Sequence, residues 1–107
     1  MNELLVVMCT FPSSESVRQI GTHLVKKQLV ACVNCIPKAF SIYQWEGEIC
    51  QEEEVIALMK VPRHLYDHVE KELLELHPYD TPAIVAVKIE HVTEGYMQWT
   101  MRNTLDV

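Results

Sequence analysis

Three glycines in 107 residues leave little backbone for loops that wrap a ligand. No Gly-rich phosphate loop, no G-x-S-x-G elbow and no separated His–carboxylate pair beside a Ser or Cys stands out. The sequence therefore nominates no reaction. Basic charge is also scarce: nine Lys and Arg stand against fifteen Asp and Glu, a net charge of −6, and the nine are scattered. Such a chain repels a phosphate backbone and an anionic bilayer, which excludes nucleic acid and membrane surfaces as partners. No apolar stretch approaches the roughly 20 residues that cross a membrane. The start, Met1-Asn2-Glu3 before Leu4–Cys9, has no basic region and too short an apolar run for a signal peptide. The expectation is a cytoplasmic protein whose four cysteines are reduced.

What is present fits one globular domain spanning residues 1–107, long enough for a core without staples. With 49 % hydrophobic and 22 % charged residues, disorder is excluded. The central stretch is Ala31–Lys60. Ser41-Ile42-Tyr43-Gln44-Trp45, Glu46-Gly47 and Glu48-Ile49-Cys50 read as two antiparallel strands joined by a two-residue type I′ turn. Trp45 then faces Glu48, Tyr43 faces Cys50 and Ser41 faces Glu52, while Ile42, Gln44, Ile49 and Gln51 share the other face. The second arm meets no Gly or Pro before Pro62, and at about 3.3 Å per residue it is on the order of 40 Å long. That overhangs a sheet of ordinary strands, so the arm needs a partner to cover it.

Around the hairpin, Leu4–Cys9 reads as a strand buried on both faces. Ser13 or Ser14 caps a helix over about Glu15–Gln28 with Val17, Ile20, Gly21, Leu24 and Gln28 on one side. Pro62 suits the start of a second helix with an apolar stripe of Leu65, Val69, Leu73 and Leu76. His77-Pro78-Tyr79-Asp80-Thr81-Pro82 is a rigid loop. Ala83–Ile89 is a further strand, and Thr93 caps a short last helix, Glu94–Asn103. The order β-α-β-β-α-β plus a helix predicts an α+β, ferredoxin-like sandwich with a long hairpin.

Several groups invite chemistry. Cys32 and Cys35 have CxxC spacing but lie on strand, where residues three apart point to opposite faces, and read as structural thiols. His64 and His68 are one turn apart, off the apolar stripe, and read as a solvated face. Glu52-Glu53-Glu54 alternates faces, so at least one carboxylate points inward or toward a partner, although a charge run usually marks solvent. Cys9, at the end of the first strand, and His77, at the end of the second helix, form a thiolate–imidazole combination suited to copper or zinc. The pattern alone does not bring those two together.

The segments Val7-Met8-Cys9-Thr10-Phe11-Pro12, Ala31-Cys32-Val33-Asn34-Cys35-Ile36-Pro37, Ser41 to Glu48, and His77-Pro78-Tyr79-Asp80-Thr81-Pro82 resemble the CutA divalent-cation tolerance proteins. The resemblance runs over nearly the whole chain. It implies a ferredoxin-like subunit in a tight homotrimer, hairpins pairing between subunits, no enzymatic activity, and a role in tolerance to divalent metals, notably copper. It also implies a likeness to PII signalling trimers, with a small molecule bound in intersubunit clefts lined by Tyr43, Trp45, Glu52 and Tyr79. Mammalian relatives are linked to acetylcholinesterase anchoring, so a pure scaffold is a further alternative. In the bacterial pattern copper goes to a first-strand Cys and two consecutive His before Pro-Tyr. Cys9 and His77 match, Leu76 replaces the other His, and the implied Cu(II) or other divalent-cation site is correspondingly weak.

Overall fold

The computed structural model describes residues 3–106. Strand β1 (Leu4–Phe11) leads into helix α1 (Ser14–Lys26), capped by Ser13, whose side chain accepts from the Ser16 amide at 3.1 Å. The helix ends earlier than its periodicity suggests. Gln28 takes φ +59° in the left-handed region, Leu29 N–H returns to Leu24 O and Gln28 N–H to Val25 O, a Schellman closure that buries Leu29 beside Leu24.

Strands β2 (Cys32–Trp45) and β3 (Glu48–Pro62) form the hairpin in the expected register, with Ser41 opposite Glu52, Tyr43 opposite Cys50 and Trp45 opposite Glu48. Glu46 at φ +49° and Gly47 at φ +82° make the type I′ turn. One feature of the hairpin was not expected from the sequence. Between Ile36, opposite Ile56, and Ala39, opposite Glu54, residues Pro37 and Lys38 face Val55 alone, with Lys38 at φ +61°. Pro37 cannot donate to the ladder, and the extra residue is absorbed as a bulge. The bulge reverses the parity of β2. Asn34 and Ile36 before it, and Ala39, Ser41, Tyr43 and Trp45 after it, lie on one face.

After β3, the expected helix start at Pro62 is a single 3₁₀ turn, Arg63–Leu65, and α2 proper runs Tyr66–Leu76. Strand β4 (Ile84–Lys88) and helix α3 (Glu94–Arg102) complete the chain. The four strands form one antiparallel sheet in the order β2-β3-β1-β4. Together with the three helices this is a mixed α+β fold.

Helices α1 and α2 pack on one face. Val7, Cys9 and Phe11 of β1 with Val55, Ala57, Met59 and Val61 of β3 meet Val17, Ile20, Leu24, Leu65, Val69 and Leu73 in one core. The α2 stripe differs from expectation at its end. Leu76 is 44 % exposed, and the next buried position, four residues after Leu73, is His77. His77 leaves the helix with ψ 137° and turns inward, so the imidazole takes the place assigned to Leu76. The reading of β1 as buried on both faces also fails within one subunit. Met8, flanked by Leu58 and Val85, is exposed on the open face of the sheet, with Ile36, Val85 and Val87.

Candidate functional site

The end of α2 and the loop behind it fold back onto β1 and the hairpin base. The His77 ring stacks on Phe11, centroids 4.5 Å apart, and is 8 % exposed. Its Nδ1 accepts the Tyr79 amide at 3.1 Å, so Nε2 carries the proton and donates to Thr10 O at 2.8 Å. Tyr79 in turn donates its hydroxyl to Glu54 Oε2 at 2.7 Å. Glu54 is the inward carboxylate of the Glu run and is 8 % exposed. One imidazole thus ties the loop to β1, and one phenol ties it to β3.

This arrangement leaves a cleft of about 660 Å³. Hairpin residues Ser41, Tyr43, Trp45, Cys50, Glu52 and Glu54 form one wall. Thr10 and the loop residues Pro78, Tyr79, Asp80, Thr81 and Ala83 form the other. Tyr43 and Trp45 pair with Cys50 and Glu48, and the unbroken alternation of β3 puts them on the same face as Glu52 and Glu54. Burial raises the Tyr79 phenol well above the ordinary tyrosine value, and its bond to Glu54 adds to this. Tyr43 is raised by partial desolvation and by Glu52. Both phenols are protonated donors at neutral pH.

All four cleft residues read from the sequence, Tyr43, Trp45, Glu52 and Tyr79, line this one space. Glu54, Thr10 and Asp80 were missed. Glu54 shares strand parity with Cys50 and Glu52, which could have singled it out. Thr10 and Asp80 depend on how the loop closes, which no local pattern records.

Cys9 and His77 do approach each other. Cys9 Sγ lies 3.8 Å from Thr10 O, the carbonyl that His77 also meets. Cys9 is fully buried in the core, and burial pushes its thiol up to about 12, so it stays protonated. Both ring nitrogens of His77 are engaged. Among the described residues no group of three or more His, Cys, Asp or Glu is placed to hold a metal ion. As it stands, this pair does not fit a resident metal. Leu76 lines a separate small groove with Ser16, Gln19 and His23. The other candidates stay apart: His64 bonds Leu105 O, His68 is exposed, and all four cysteines are free.

Burial lowers the His77 pKa, outweighing the Thr10 bond and the Glu54 charge that raise it. The folded chain therefore prefers neutral His77. Its contribution is fully present above the unfolded value near 6.5 and is lost as pH falls through that value toward the folded one. The melting-temperature gap between wild type and His77→Gln should shrink from about pH 7.5 to about pH 5.5. A gap that widens on acidification contradicts the assignment.

The CutA1 divalent ion tolerance protein family model matches residues 5–103. The chain belongs to this family. It is similar to the divalent-cation tolerance protein CutA of Thermus thermophilus, 39 % identical over 92 % of this chain and 96 % of that protein. The Thermotoga maritima CutA is 40 % identical over 95 % of this chain and the whole of that protein. Among solved structures, CutA1 of Ehrlichia chaffeensis superposes with a TM-score of 0.93 at 30 % identity, covering 98 % of each chain. That of Oryza sativa gives 0.94 at 28 % identity over 98 % of this chain and 96 % of that one. The CutA assignment made from the sequence is thereby shown, and with it the α+β architecture that carries the cleft.

Proposed function

We propose that the protein serves divalent-cation tolerance as a non-enzymatic homotrimer of ferredoxin-like subunits in the cytoplasm, and that the cleft beneath the hairpin is its ligand site. The observation that carries the assembly is the apolar surface one subunit leaves open. Met8, Ile36, Val85 and Val87 lie on the uncovered sheet face, and Phe40, Ile42 and Ile49 stand along the hairpin, the last 69 % exposed. Burying a large side chain contributes about 1.5–3 kcal/mol, so seven of them represent a strong drive to associate. A closed ring covers them without leaving an edge that propagates. Three is the number the family resemblance implies.

Copper held by Cys9 and His77 is the second reading, favoured by their shared approach to the Thr10 carbonyl. A calorimetric screen of metals and small metabolites on wild type, Cys9→Ser and Tyr79→Phe separates the two. The cleft reading predicts a saturable ligand lost in Tyr79→Phe, together with Cu(II) uptake that is weak and substoichiometric. One Cu(II) per subunit, abolished by Cys9→Ser, would transfer the function to the buried pair.

A further inference from the structure

We infer that the cleft beneath the hairpin takes an aliphatic di- or polyamine, a cation that is organic rather than metallic. This rests on the cleft being the ligand site. Among the described residues of one subunit its lining contains three carboxylates, Glu52, Glu54 and Asp80, three aromatic rings, Tyr43, Trp45 and Tyr79, and no Lys, Arg or His. Phosphorylated or dicarboxylate ligands are repelled there, because nothing on the walls offsets their charge.

Glu54 supplies the anchor. It is more than nine-tenths buried and lines the cleft, and Tyr79 bonds only Oε2, leaving Oε1 without a donor among the described residues. A carboxylate oxygen open to a cavity can accept an N–H donor or pair with a cation there.

Metal and amine are told apart by what surrounds the anchor. A hard divalent metal demands about six oxygen ligands at short range. Among the described residues no group of three or more His, Cys, Asp or Glu is so arranged. An alkylammonium needs one or two carboxylates and an aromatic face. Tyr43 and Trp45, two apart on one strand face, present rings along the same wall as Glu52 and Glu54. Methylenes lie against the rings while one ammonium bonds Glu54 Oε1 and a second reaches Glu52 or Asp80. A space of about 660 Å³ accommodates such a chain.

The test uses a Trp99→Phe background, in which Trp45 is the sole tryptophan reporter. Putrescine should change its fluorescence saturably. The neutral analogue 1,4-butanediol should bind at least about tenfold more weakly, and added salt should weaken putrescine. Glu54→Gln keeps an acceptor for Tyr79 but removes the charge, and should cost putrescine about tenfold or more while the assembly mass holds. Equal response to diamine and diol, or full putrescine affinity in Glu54→Gln, overturns the inference. If glutarate or ATP saturates Trp45 and putrescine does not, the diamine is wrong and the cleft remains the ligand site. If none of these probes acts and Cu(II) binds through Cys9, the cleft reading itself fails.

Discussion

Met8→Asp should convert the assembly into folded monomers. Met8 sits mid-strand on the open sheet face, between Leu58 and Val85, and is 37 % exposed within one subunit. In a free subunit an aspartate there faces water and disturbs no core contact, since the core residues of β1 are its neighbours Val7 and Cys9 on the other face. In a closed trimer the same carboxylate is buried without a partner, at about 3–5 kcal/mol per subunit, and the cost recurs in every subunit. The variant should keep its far-ultraviolet dichroism and sediment at the single-chain mass of 12.4 kDa. A Met8→Asp chain that keeps the wild-type mass would place the interface elsewhere.

Phe11→Ala is expected to be the most damaging single core change. Phe11 is 1 % exposed, belongs to the one core cluster, and carries the His77 ring on its face at 4.5 Å. Truncating a buried Phe costs about 3–5 kcal/mol, a large share of the roughly 5–15 kcal/mol that holds a domain. The loss should extend to the cleft, because His77 bonds both Thr10 O and the Tyr79 amide. Chemical denaturation should show the stability loss, and putrescine should bind the folded variant more weakly than wild type. A variant with near-wild-type stability would mean that the loop is held by its prolines rather than by the stacked ring.

The parts of the fold that were legible in the sequence are those set by short-range rules. A two-residue Glu46-Gly47 turn fixes the hairpin register because its backbone admits one strand pairing, and the Tyr43–Cys50 and Ser41–Glu52 pairs follow. The bulge was not read, although Pro37 inside a strand is its usual signal, and without it the parity of Tyr43 relative to Ile36 cannot be known. Leu76 was misplaced because helical spacing allows both i+3 and i+4 after Leu73. The chain turns out of the helix at His77 and buries the polar ring instead. The cleft was half legible. Tyr43, Trp45, Glu52 and Tyr79 came from the family resemblance, whereas Thr10 and Asp80 join them only through the docking of the loop on β1, where His77 meets Thr10 across 67 residues of chain. The continuous apolar run of β1 recorded something a single subunit does not display. It reads as a strand covered on both faces, and neighbouring subunits are the proposed second cover.

Sedimentation or light scattering of the wild-type chain at sub-micromolar concentration tests that assignment most directly. The expected mass is about three times 12.4 kDa, unchanged on dilution. A wild-type chain that remains folded at 12.4 kDa would leave Met8, Val85, Phe40 and Ile49 in water with nothing to cover them, and would contradict it.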